Sequence, residues 1–257
     1  MPEFCSLSLE DGILLVTINR PARMNALHPP ANFELAQIFE EFLSDDSARV
    51  AILTGSGDQA FCAGNDLLDL AAGNAWRLPE TGFGGITHNF RRTKPVIAAV
   101  NGLALGGGFE IALACDLIIA ADTAYFGLPE PKVGLAATMG GLHRLPRQIG
   151  LKQALGLILT GRRLAAADAL RLGLVNEVVP AAEVVATARR WAHEILACAP
   201  LSIRTSMDIV SRGLEEASVE LAVTGDYAGT RILQTSADAQ EGPRAFAEKR
   251  QPVWSGR

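Results

Sequence analysis

The chain has 257 residues, enough for one large domain or a domain with an appendage. Apolar residues make up 49% and charged residues 20%, which supports a full-sized core and argues against disorder. The net charge of −5, with no run of Lys or Arg, gives no support to a nucleic-acid or anionic-membrane role, so an anionic ligand must be met by local features.

In chain order, the β-branched run at 13–19 (ILLVTIN) predicts a strand, and RPARMNAL at 20–27 a turn-rich connector. Apolar positions 35, 38, 39, 42 and 43 predict an amphipathic helix over 33–43. VAILT at 50–54 reads as a short buried strand. AFCAGNDL at 60–67 reads as a turn in which Gly64 enters a short helix. Residues 71–93 have no clear period and read as a long loop with some helix, near a ligand. A strand at 94–100, a helix at 106–115, a strand at 116–121 and a short strand at Tyr125-Phe126 follow. Helical patterns cover 139–149, 152–159 and 165–172, the last stopped by Gly173, before a final strand at 175–179.

After Val179 no strand pattern occurs. Val184, Ala188, Trp191 and Ile195 share one helical face. After Pro200, the residues Ile203, Met207, Val210 and Leu214 do the same, and helix is predicted to about Leu233. Ser236 caps another helix that Gly242-Pro243 should end, and Pro243 should start a last one through Lys249. The repeating strand, turn and short helix point to a layered α/β core with short parallel strands, followed by a helical tail.

Cys5, Cys62, Cys115 and Cys198 are far apart and form no CxxC pair, so zinc ligation is not indicated and reduced cytoplasmic thiols are expected. The N-terminal segment lacks the pattern of a signal peptide. The apolar stretch 96–121 is interrupted by Asn101, Glu110, Asp116 and glycines, which suits a soluble core better than a membrane span.

The stretch 101–131 carries the chemistry. Gly106–Gly108 runs into an apolar helix, where backbone N–H groups near Gly107 can meet an anion. Ala63-Gly64 offers a second donor, and two such donors make an oxyanion hole. Glu110 and Glu130 lie in apolar surroundings that disfavour charge, and a carboxylate pair there can act as general acid and base. Taken singly, each signal has a plainer reading. The glycines can be a packing turn, Glu110 a response to the helix dipole, Glu130 a loop residue, Asp66 an N-cap and His143 a structural residue. No Walker A loop, GxGxxG fingerprint or GxSxG elbow is present.

Together these residues resemble the enoyl-CoA hydratase/isomerase (crotonase) family almost end to end. The segments are AFCAGNDL at 60–67, NGLALGGGFEIALACDLIIAADTAYFGLPE at 101–130, GGLHRLPRQIG at 140–150, LTGRRLAAADALRLGLVNEVV at 159–179 and EGPRAFAEKRQPVW at 241–254. The resemblance implies an α/β fold: a crotonase-like spiral of repeated ββα units over 1–198, and a helical C-terminal trimerisation region over 199–257 that builds homotrimers or hexamers. It implies an acyl-CoA thioester as substrate, with no cofactor and no metal. It makes Glu110 and Glu130 the catalytic pair, with Ala63 and Gly107 as oxyanion donors. Arg23, Met24, Ala26, Gly64, Asn65 and Asp66 would lie along substrate or CoA, and Phe246 and Lys249 would reach a neighbouring subunit's CoA.

With both glutamates present, the expected activity is hydration of a trans-2-enoyl-CoA to a 3-hydroxyacyl-CoA in cytoplasmic acyl-CoA metabolism. An enoyl-CoA isomerase and a carnitinyl-CoA dehydratase are the alternatives, the latter because the 33–43 helix and the chain's ending also resemble that enzyme. A non-catalytic acyl-CoA-binding protein is the alternative of another class.

Overall fold

The computed structural model describes residues 2–90 and 92–257. Contacts divide the chain into two compact units, Met1–Ala192 and His193–Arg257.

The first unit is built on two sheets. β1 (Cys5–Glu10) pairs antiparallel with β2 (Ile13–Ile18), and β2 pairs in parallel with β3 (Val50–Gly55). Then β5 (Val96–Val100), β7 (Leu117–Ala121) and β10 (Glu177–Val179) extend the same sheet in parallel, giving the order β1-β2-β3-β5-β7-β10. All the residues of β3 and β5 are buried, which explains why they read as unbroken apolar runs with no alternation. A smaller sheet holds β4 (Ala60–Cys62), β6 (Leu103–Leu105), β8 (Tyr125–Gly127) and β9 (Leu164–Ala165), in that order.

Each turn of the chain thus gives one strand to the large sheet, one to the small sheet, and then a helix. β3 and β4 lead to α2 (Leu67–Ala71), β5 and β6 to α3 (Gly107–Ala114), and β7 and β8 to α4 (Gly141–Ile149). These are the expected ββα units. Asn101 fixes the corner between two of them. Its side-chain amide donates to the carbonyls of Gly55 and Gly57 at 2.9 Å each and accepts from Gly55 N–H at 3.1 Å. A buried polar side chain in this position replaces the ladder bonds that the backbone gives up where it leaves one sheet for the other.

The remaining helix on the core's N-terminal side, α1 (Pro29–Ser44), starts on two prolines and buries Ala31, Leu35, Ile38, Phe39 and Phe42. The loop 71–93 contains the α2 end and a 3₁₀ turn, Phe83–Gly85, which docks on α1 where Gly84 N–H donates to Asn32 Oδ1 at 2.7 Å. After α4 come α5 (Leu151–Thr160), α6 (Ala166–Arg171) and α7 (Val184–Leu196), inside which the division between the units falls.

The second unit is helical. The helix expected from Pro200 to about Leu233 is three: α8 (Pro200–Gly213), α9 (Val219–Thr224) and α10 (Ala228–Gln234). The break after α9 closes on Tyr227, whose hydroxyl donates to Ala222 O at 2.7 Å. The stop expected at Gly242-Pro243 is also corrected. α11 (Ala237–Ala247) runs through Pro243 and ends before Lys249, whose φ is 54°. Pro243 forfeits one helical N–H bond, while the Ser236 cap and the ties of Glu241 to Arg250 and to Val253 N–H hold the helix on either side. Buried Asp238 accepts from Ser255 N–H, Ser255 Oγ and Gly256 N–H, so the C-terminal turn is fastened to the start of α11.

Candidate active site

The site forms where β6 passes into α3. Gly106 has φ 54° and ψ −128°, a left-handed conformation that a side chain would strain. It turns the chain so that α3 begins at Gly107 with its N–H unpaired within the helix. Gly108 rests against the carbonyl of Cys62, and a Cβ at Gly64 would stand 3.0 Å from Gly107 N, so the two segments meet backbone to backbone. The Phe83 ring covers Gly107, with ring carbons 2.6 to 2.9 Å from where a Cβ would be. No sequence pattern assigns a role to Phe83. Its one signal is the run of glycines around it in an otherwise patternless loop.

One expected donor is displaced. Ala63 N–H is not free, because it donates to Met24 O at 3.0 Å. Next to it, Leu27 N–H donates to Gly64 O at 2.8 Å, and Asp66 N–H donates to Leu27 O at 3.0 Å. In this parallel bridge of Leu27 with Asn65, both bonds lie on the Leu27 side and Asn65 N–H is turned to the other. Among the described residues, neither Asn65 N–H nor Gly107 N–H donates to a protein acceptor. Asn65 N–H is therefore free to take the role expected of Ala63, which instead anchors the turn to the connector.

Two carboxyl groups flank this turn. Glu110, one helical turn into α3, is 2% exposed and its Oε1 accepts from Gly141 N–H at 2.9 Å. Burial pushes its pKa up to about 7. The amides of Gly141 and Met139 and the charge of Arg144 oppose that rise, and the neighbouring Glu130 adds to it. Glu130 opens a short 3₁₀ turn between Pro129 and Pro131. Its Oε1 lies 3.1 Å from where a Cβ on Gly106 would be, its Oε2 is buried without a hydrogen-bond partner among the described residues, and burial raises its pKa too. Two buried carboxyls whose charges repel favour a state in which they hold one proton between them. Such a state offers an acid and a base beside two backbone donors.

The connector and the 60–67 turn are brought together. Arg20 bonds Ala26 O and pairs with Asp66 at 3.1 Å, while Met24 O takes the Ala63 N–H. Met24 and Asn25 adopt left-handed backbone angles there. Asp66 also caps α2 through Asp69 N–H. Arg23, Met24, Ala26, Gly64, Asn65 and Asp66 thus belong to one region, and a cleft beside it is lined by Asn32, Asn65, Asp66, Asp69, Trp76 and Arg77 among others. Phe246 and Lys249 lie in the second unit, where Phe246 is 87% exposed. Among the described residues no group of three or more His, Cys, Asp or Glu could hold a metal, and no helix is long and apolar enough to cross a membrane.

The sequence profile described as enoyl-CoA hydratase/isomerase matches residues 8–257. The chain belongs to the enoyl-CoA hydratase/isomerase family. Its fold is that of this family. A solved structure of enoyl-CoA hydratase from Mycobacterium tuberculosis H37Rv superposes with a TM-score of 0.92 at 39% identity, covering 99% of both chains. A structure of carnitinyl-CoA hydratase from Mycobacterium avium gives 0.79 at 43% identity over the whole of both chains. The carnitinyl-CoA dehydratase of Escherichia coli strain K12 is 44% identical over 268 aligned positions, spanning both proteins in full.

Proposed function

We propose that this protein is a syn-acting carnitinyl-CoA dehydratase that removes water from carnitinyl-CoA to give the conjugated enoyl thioester, and that also runs in reverse. Its reaction class is that of a hydro-lyase of the enoyl-CoA hydratase type, which the family's hydratases and dehydratases share. The observation that carries the chemistry is the placement of two ionisation-resistant carboxyls, Glu110 and Glu130, on either side of the Gly106–Gly107 turn. The substrate rests on the full-length likeness to proteins named for carnitinyl-CoA, which favours this reading over the hydratase of simple trans-2-enoyl-CoA expected first.

The thioester oxygen sits between Asn65 N–H and Gly107 N–H. The ionised carboxylate of the pair takes a proton from C2, and the two N–H donors stabilise the enolate charge that moves onto the oxygen. As the enolate collapses, the C3–O bond breaks and the protonated carboxyl gives its proton to the departing hydroxyl, which leaves as water. The pair ends with one proton, as it began, but on the other group. Hydration is the same path reversed. No step asks for a metal or a redox cofactor, since the acyl-CoA is itself the substrate.

The reading includes a cytoplasmic homotrimer, or a hexamer of two trimers. Exposed apolar side chains on the second unit, among them Val210, Leu214, Val219, Val223 and Phe246, support an assembly.

The test is a panel of thioesters followed by the absorbance of the conjugated enoyl group. Carnitinyl-CoA should be dehydrated with a higher kcat/KM than 3-hydroxybutyryl-CoA. Preference for the simple hydroxyacyl or enoyl thioester instead favours the general hydratase. Double-bond migration from a 3-enoyl-CoA that survives Glu110→Gln favours an isomerase. Tight binding of all of them without turnover leaves a non-catalytic acyl-CoA binder.

A further inference from the structure

Glu110 is only as well placed as the backbone that holds its carboxylate. That backbone is the Met139–Gly141 turn, which has no element of regular structure on its N-terminal side: the segment between the 3₁₀ turn at Glu130 and α4 is irregular and largely exposed. A mobile turn here would let the Gly141 N–H drift from Glu110 Oε1.

One side chain opposes this. Arg144, in the first turn of α4, folds back over the turn. Its Nη2 donates to Thr87 O at 2.7 Å, across to the 71–93 loop, and its Nη1 reaches Met139 O at 3.5 Å. The guanidinium fills the space beside Gly140 that a side chain there would need, and the φ of 111° at Gly140 is one that favours glycine. Its outer face is covered by the Phe90 ring, 5.5 Å from the guanidinium carbon. Arg144 forms no carboxylate salt bridge among the described residues, so its charge is not cancelled by direct contact.

We infer that Arg144 is a positioning residue for the acid–base pair: its guanidinium clamps the Met139–Gly141 turn to Thr87, which fixes the Gly141 N–H on Glu110 Oε1. Its charge also favours the ionised form of that carboxyl. The inference rests on the functional reading above only where it concerns turnover. The groups that bear on Glu110 are few. Glu130 faces it from the 3₁₀ turn and disfavours its charge. The Gly141 N–H donates to it, and the Met139 amide and Arg144 on α4 favour its charge. Beyond Arg144 lie Arg92, which repels it, and the Cys115 thiol. Arg92 is itself bound to Asp116 and to Ala114 O. Removing the Arg144 charge therefore has one sign: Glu110 holds its proton to higher pH.

Arg144→Met and Arg144→Lys separate the two parts of the role. In Arg144→Met, kcat for the hydroxyacyl thioester should fall about tenfold or more with KM changed by less than about twofold, as expected when a reacting group is displaced but substrate contacts persist. The acid limb of its pH–rate profile should move up. Arg144→Lys should return the limb toward that of the wild type while leaving kcat low, because an ammonium keeps the charge but lacks the fork that spans Thr87 and Met139. A second measurement needs no turnover: the Glu110 carboxyl carbon, labelled with carbon-13 and assigned against Glu110→Gln, should titrate at higher pH in Arg144→Met. An unmoved midpoint overturns the inference, as does a loss of rate that only follows loss of folded protein. If the wild type turns over no hydroxyacyl thioester, the functional reading fails while the carbon-13 midpoint still decides the case for Arg144.

Discussion

Gly141 N–H donates to Glu110 Oε1 at 2.9 Å, and a Cβ on Gly141 would lie 3.1 Å from both Cγ and Oε1 of that same glutamate. Bond and close approach come from one residue, so position 141 holds the carboxylate only as long as it has no side chain. Gly141→Ala should displace the carboxyl by a few tenths of an ångström and lower kcat about tenfold, with the fold retained. An alanine enzyme of wild-type kcat would show that the contact does not govern the chemistry.

Glu110→Gln and Glu130→Gln should each lower kcat at least about a hundredfold, because each removes half of an acid–base pair. Circular dichroism should be unchanged, since an amide oxygen at 110 can still accept from Gly141. A double variant no slower than the worse single one is expected, because the two groups act on one water.

The raised pKa of Glu110 has a consequence for stability. Its folded value of about 7 lies above the ordinary 4.5 of the unfolded chain, so the folded state binds this proton more tightly. The resulting contribution is fully present below the unfolded value and is lost as pH rises through about 7. Glu110→Gln cannot lose it. Thermal melts should show the variant gaining on the wild type between pH 5 and pH 8, on the order of 2 kcal/mol by the upper end. A gap independent of pH would mean that Glu110 is not buried as described.

The donor at position 65 is main chain, so Asn65→Ala should leave kcat within a few-fold. Replacing the Asn65 amide by an ester should cost about a hundredfold, the usual scale for one oxyanion donor. The same exchange at Ala63 should act on stability, through the lost bond to Met24 O, more than on rate.

Asp238→Ala should free the C-terminal turn by removing three bonds to Ser255 and Gly256. The folded second unit should lose about 1–3 kcal/mol, and limited proteolysis should cut the tail sooner.

What was legible in the sequence is what a single segment determines. β3, β5 and α3 announce themselves through runs of buried apolar residues, β2 through an apolar, β-branched run that is partly buried, and Glu110 and Glu130 through charge in an apolar setting. β1 escaped because only Cys5 of its six residues is buried, so no alternation marks it. β4 and β6 escaped because three-residue strands are too short to show a period and sit within glycine-rich turns. Pro243 misled because a proline inside a helix reads as a stop unless the ties around it are known. The choice between Ala63 and Asn65 was out of reach for a different reason. Which N–H is free depends on Leu27 and Met24, far back in the chain, and family likeness fixes the segment more firmly than the atom. Arg144 was hidden likewise, since its partners at Thr87 and Met139 come from separate stretches.

Glu130 Oε2 is buried and has no hydrogen-bond partner among the described residues. The cost of drawing that oxygen out of water is met in folding rather than on binding. A substrate hydroxyl that reaches it supplies the bond that the fold itself withholds. Substrate should accordingly raise the melting temperature of the wild type more than that of a Glu130→Leu variant, even at ligand concentrations that saturate both.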